Sequence, residues 1–185
     1  AAGAVDSPLC APELHAKRPA PVPGTAAAEA AAAGDVTALH GLPAAELAAA
    51  CPQSGNTPLI FAADAGHLPA VEALLAAGVP ADVRGYLGAT AVSRAARRGH
   101  LPVLSTLLAA GASAEVPNDK LQYPLHFAAF KLQPGAVQLL LERAANPLVL
   151  DRKGRTPAED TSDEGIRRTI AEAQREAVAR QTAAQ

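Results

Sequence analysis

Between Thr57 and Gly78 the apolar positions fall into two helical stripes divided by a glycine. Leu59, Ala62 and Ala63 recur at the spacing of one helix face, and Val71, Leu74 and Leu75 do so again after Gly66. Thr57 is placed to cap the first helix, its hydroxyl accepting from an unpaired amide of the first turn. Pro58 follows at the position where a missing N–H costs nothing. Gly66 breaks the first helix, and Gly78 ends the second in the left-handed conformation that glycine tolerates. Pro80, Asp82, Gly85 and Gly88 then make a turn-rich connection. The pattern predicts a unit of turn, short helix and longer helix.

That unit recurs. Thr57-Pro58-Leu59, Thr90-Ala91-Val92, Tyr123-Pro124-Leu125 and Thr156-Pro157-Ala158 stand 33 residues apart (57, 90, 123, 156). Gly66-His67-Leu68-Pro69 returns as Gly99-His100-Leu101-Pro102, and Leu74-Leu75-Ala76-Ala77-Gly78 as Leu107-Leu108-Ala109-Ala110-Gly111 and then Leu140-Leu141-Glu142-Arg143-Ala144. Three markers in phase are the signature of a stacked repeat. Ala31-Ala32-Ala33-Gly34-Asp35-Val36 reads as a first unit in shifted phase without the Thr-Pro start. Leu132-Gln133-Pro134-Gly135 replaces Gly-His-Leu-Pro in the fourth unit, so a distorted inter-helix turn is expected there.

These motifs, with Pro124-Leu125-His126-Phe127-Ala128-Ala129, resemble the ankyrin repeat family. The resemblance implies an all-α solenoid of about five helix–turn–helix units joined by β-turn or hairpin loops. The expected units span 25–51, 52–84, 85–117, 118–150 and 151–180, after a Pro-rich extended segment at 1–24 and before a tail at 181–185. The last unit carries Arg167, Arg168, Glu172, Arg175 and Glu176, the polar cap that a solenoid end needs. In the family pattern His67, His100 and His126 are structural, tying turns and loops together.

Composition narrows the core and the setting. With no Trp or Met and only two Tyr and three Phe, the core must come from Ala, Leu and Val. No apolar run approaches the ~18 residues of a membrane span, so no membrane insertion is expected. The small residues Ala1-Ala2-Gly3 suit the far side of a signal-peptidase cut, with simple trimming as the alternative. Cys10 lies in the Pro-rich segment and Cys51 where the first unit meets the second. A Cys10–Cys51 disulfide would fasten the extension to the repeats and contribute about 4 kcal/mol; two buried thiols are the alternative. Together these predict an exported, periplasmic protein.

Charge is uneven. Residues 1–83 hold two basic and eight acidic side chains, residues 84–155 ten and four, and residues 156–185 four and six, within an overall charge of −2. A nucleic-acid binder would be basic overall, so the basic middle fits a protein partner with a local acidic surface. His15 and His40 have no partner at metal-ligand spacing, and no serine sits in a nucleophile elbow. Asp160, Asp163 and Glu164 read as helix-dipole partners. The chain is therefore expected to have no catalytic residue, no metal and no cofactor.

What remains is a surface. In the family, partners meet hairpin tips and the exposed side of the shorter helix, on the concave face. Position by position this gives Gln53, Ser54, Asn56 and Asp64, then Tyr86, Leu87, Ala89, Arg97 and Arg98. It continues with Asp119, Lys120, Gln122, Phe130 and Lys131, and ends with Arg152, Lys153, Arg155 and Asp163. The expected binding residues are Tyr86, Leu87, Arg97, Arg98, Lys120, Gln122, Phe130, Lys131, Arg152 and Arg155, aromatic and arginine types being enriched at hot spots. Tyr86, Arg97, Arg98 and Phe130 are expected to meet mid-face; a solvated face is the plain alternative. By analogy with exported bacterial relatives, the chain is expected to be a monomer when free. Its expected role is an immunity protein that occludes a secreted toxin attacking lipid or cell wall. A helper of catalase in oxidative defence and a structural adaptor are the alternatives.

Overall fold

Threonine caps set the start of several of the short helices. In the computed structural model, which describes residues 24–183, α1 (Ala26–Ala33) starts at Thr25, whose hydroxyl accepts from Ala28 N–H. α4 (Pro58–Ala65) starts at Thr57 and α6 (Ala91–Arg98) at Thr90, where Ser93 Oγ accepts in return from Thr90 N–H at 2.9 Å. α8 (Pro124–Phe130) and α10 (Pro157–Asp160) complete the row of short helices. The longer partners are α5 (Leu68–Ala76), α7 (Leu101–Ala109), α9 (Pro134–Glu142) and α11 (Glu164–Ala183), the last running past the expected unit end at 180. In the first unit Gly41 and Pro43 divide this partner into α2 (Val36–His40) and α3 (Ala44–Ala48). The described residues are all helix and turn, with no strand among them.

The helices form two layers. α1, α4, α6, α8 and α10 stack side by side, and α2, α5, α7, α9 and α11 stack behind them. One continuous core runs between the layers through Leu59, Val71, Leu74, Val92, Leu104, Leu107, Leu125, Val137, Leu140 and Ile170. Each fully buried side chain of this size contributes about 1.5–3 kcal/mol. Fully buried alanines, Ala62 and Ala63, Ala95 and Ala96, Ala128 and Ala129, let the front helices approach closely.

Polar contacts between units repeat as the core does. His67 Nε2 lies 3.0 Å from Ala32 O, and His100 Nε2 lies 3.2 Å from Asp64 O. Each ring also covers the preceding unit's turn glycine: a Cβ on Gly66, already at φ +83°, would stand 2.7 Å from the His100 ring. His126 Nδ1 accepts from Tyr123 N–H, which leaves Nε2 to donate to Arg155 O at 3.0 Å. All three histidines thus have the structural places expected of them.

The expected distortion in the fourth unit takes a specific form. Leu132 adopts φ 55°, the left-handed geometry of Gly66 and Gly99, so the turn is kept and the strain is carried by a leucine. The hairpin tips close by single hydrogen bonds, Gly85 N–H to Ala89 O, Asn118 N–H to Gln122 O and Asp151 N–H to Arg155 O. Asn118 and Asp151 hold their tips by accepting two backbone N–H bonds each. Neighbouring tips join through Asp119 N–H to Leu87 O and Arg152 N–H to Lys120 O.

Candidate protein-binding cleft

The front helices and the tips enclose a cleft of about 470 Å³ across the second, third and fourth units. Its floor is Ile60, Phe61 and Asp64 of α4, Ser93, Arg94, Arg97 and Arg98 of α6, and Phe127 of α8. Its walls are Tyr86, Leu87 and Ala89 on one tip and Asn118, Asp119, Lys120 and Gln122 on the next. The tip backbone is set from within: Asn56 is buried, and its Oδ1 accepts from Tyr86 N–H at 2.6 Å. Asn56 is therefore a strut of the cleft, although repeat position places it among the exposed face residues.

Six of the ten expected binding residues come together here: Tyr86, Leu87, Arg97, Arg98, Lys120 and Gln122. Phe130 does not join them. It is exposed at the end of α8, with the Lys131 ammonium 5.2 Å from its ring centre, while Phe127, one turn earlier, faces the cleft. Arg152 is occupied at the tips, donating to Asp119 O at 2.9 Å. Arg155 bridges two buried carboxylates, Asp151 and Asp160, each at 2.8 Å. Both carboxylates belong to the fifth unit, and Arg155 ties to the fourth through its carbonyl, which accepts from His126 Nε2.

Charges in the cleft are unequally matched. Arg98 grips Asp64 with both arms of its guanidinium, at 3.2 and 3.0 Å. Asp119 is taken by Arg84 at 2.9 Å. Arg97 and Lys120 have no carboxylate partner among the described residues. Arg94 was not anticipated as a site residue. Burial holds its basicity below the ordinary range, although Asp64 works against that shift. The repeat itself carried the signal, since Phe61, Arg94 and Phe127 occupy one position in successive units, 33 residues apart.

Cys10 lies outside the described residues. Cys51 is buried beside Ala28 and Phe61, where its thiol donates to Gln53 Oε1 at 2.8 Å. Burial alone would push that thiol up. Hydrogen bonds from the Ser54 side chain and from the backbone of Gln53, Ser54 and Gly24 bring it below its ordinary range instead. Among the described residues no three His, Cys, Asp or Glu side chains are grouped to hold a metal ion, and no helix is long and apolar enough to cross a membrane.

Residues 26–118 match a family model of ankyrin repeats in three copies, and residues 121–152 match a single ankyrin repeat. Among curated proteins, none matches the chain.

Proposed function

The chain belongs to the ankyrin repeat family, whose repeats are protein-binding modules, and from that premise we propose that it acts by occluding another protein through the cleft across its second, third and fourth units. The observation that carries this reading is the cleft's charge: four cationic side chains, Arg94, Arg97, Arg98 and Lys120, line it with two carboxylates, Asp64 and Asp119. Tyr86, Phe61 and Phe127 give it apolar surface between those charges. Such a surface fits a protein partner with a local acidic patch, and it calls for no chemistry from the chain itself. The role we propose is an immunity protein in the bacterial periplasm. It would neutralise a secreted effector that attacks lipid or cell wall, with no enzymatic activity of its own.

The exported setting rests on Cys51. Gly24 lies against the Cys51 thiol, a Cβ there falling 3.1 Å from Cys51 Sγ. The first described residue, Gly24, thus stands beside Cys51, which supports a Cys10–Cys51 bridge.

The test uses the purified chain as bait in periplasmic extract, beside Arg97→Glu and Arg175→Glu variants. A partner retained by wild type and Arg175→Glu but lost from Arg97→Glu is expected. Its lipase or cell-wall hydrolase activity should fall on adding equimolar protein. Retention of a catalase, or of a hydrolase that stays active in the complex, would remove the immunity role.

A further inference from the structure

Resting on that protein-binding reading, we infer that Arg94 is the residue that reads the partner's carboxylate and that Asp64 is its internal competitor. The occupant is an extended segment presenting an Asp or Glu side chain between apolar neighbours.

The side chain of Arg94 is only 12% exposed, and its buried Nε–H has no hydrogen-bond partner among the described residues. Its nearest carboxylate, Asp64, stands 4.0 Å away, beyond hydrogen-bond reach, because Asp64 is committed to the fork of Arg98. A guanidinium removed from water and left short of an acceptor is a cost to the fold. An entering carboxylate supplies what Asp64 withholds, and it does so bidentately, as arginine prefers.

The surroundings select the occupant. Phe61 and Phe127 stand at the repeat position of Arg94 in the units before and after it, and all three line the cleft. A carboxylate flanked by apolar side chains matches that order of aromatic, cation, aromatic. A phosphodiester chain does not, since Asp64 and Asp119 in the lining would repel its repeated charges. The volume, about 470 Å³, lies within the ~300–1,000 Å³ of ordinary ligand sites. Asp64 has two roles here. It holds Arg98 in place, and its charge opposes any second carboxylate at Arg94.

The experiment follows the arginine Nε–H resonances of the full chain by NMR during titration with Ac-Phe-Glu-Leu-NH2 and, separately, Ac-Phe-Gln-Leu-NH2. The Glu peptide should bind about tenfold tighter than the Gln peptide and move the Arg94 resonance. Asp64→Asn should tighten the Glu peptide about threefold or more, by removing the competing charge. Arg94→Lys, which keeps the charge and loses the fork, should cut the preference for Glu over Gln about threefold or more. If Arg94→Lys does not fold, the Asp64→Asn result decides alone. Equal affinity for the two peptides, absence of binding by either, or an unchanged Asp64→Asn affinity would overturn the assignment. So would inorganic phosphate or an oligothymidylate binding tighter than the Glu peptide. Because these probes need no natural partner, a negative result leaves the occlusion role to its own test. A failed partner search likewise leaves the carboxylate site standing.

Discussion

Asp151 shows how one side chain can hold a hairpin tip and set a pH dependence. Its carboxylate accepts from Lys153 N–H at 2.8 Å and Arg155 N–H at 3.0 Å, and the Arg155 guanidinium adds bonds at 3.2 and 2.8 Å. Burial alone would raise its pKa, but these bonds bring it down to about 2 from an ordinary 3.8. A folded value below the unfolded one means stability present above the unfolded pKa and lost as the pH falls through the folded one. Asp160 has the opposite sign. Burial raises it despite Arg155, so its contribution is fullest when protonated and is lost as pH rises through the raised folded value. Urea unfolding of wild type and Asp151→Asn should therefore differ most near pH 6, and the gap should close toward pH 2. A gap of equal size at both ends would mean that the Asp151 charge contributes nothing.

At the scale of the element, the fourth unit departs from its neighbours in one physical respect. Leu121, Leu132 and Ala144 adopt φ of 56°, 55° and 62° where other units place Gly88, Gly66 and Gly78, all at positive φ. A non-glycine residue in this region costs about 1–2 kcal/mol, and the stacked neighbours hold it there. Leu132 is nearly half exposed, so its side chain returns little burial. Leu132→Gly should therefore stabilise the protein by roughly 0.5–1 kcal/mol, glycine's chain entropy offsetting part of the relief. In the second unit Gly66→Ala should do the reverse, by about 2 kcal/mol or more, since it adds left-handed strain and a Cβ 2.7 Å from the His100 ring. Thermal melts of both variants check this pair. Destabilisation by Leu132→Gly would show that the leucine side chain, and not the backbone, holds that turn.

Across the whole molecule, stability follows from stacking, each unit being held by the units beside it. The inner units are covered on both sides and carry leucine, isoleucine and valine, whereas α1 buries Ala27, Ala28, Ala30 and Ala31. Behind α1, the longer helix is cut into α2 and α3. Hydrogen exchange should be fastest in α2 and α3, slower in α5, and slowest in α6 and α8. Uniform protection from α2 to α8 would contradict a nearest-neighbour stack. At the other end Ile170, fully buried, pins the polar α11 to the core. Ile170→Ala should cost about 2–5 kcal/mol and speed exchange in α11 first.

The period, the two helices per unit, the threonine caps and the structural histidines were all legible in the sequence. They are local signals, and each depends on a few neighbouring residues and a spacing of 33. The first unit's start at Thr25, one residue out of phase and without the following proline, was not read from the sequence and came from the structure. That six of the ten expected residues line one cleft was legible as well, because tips and front-helix positions repeat with the unit. The pairing of charges was not. That Arg98 takes Asp64 and leaves Arg94 short, and that Phe127 faces the cleft in place of Phe130, depend on distances between units. That Arg155 is consumed by Asp151 and Asp160 depends on how the fifth unit's tip folds onto its helix. A repeat spacing says which residues share a position. Only the stacked backbone decides which of them meet, because side-chain reach and helix rotation of an ångström or two select one carboxylate over another.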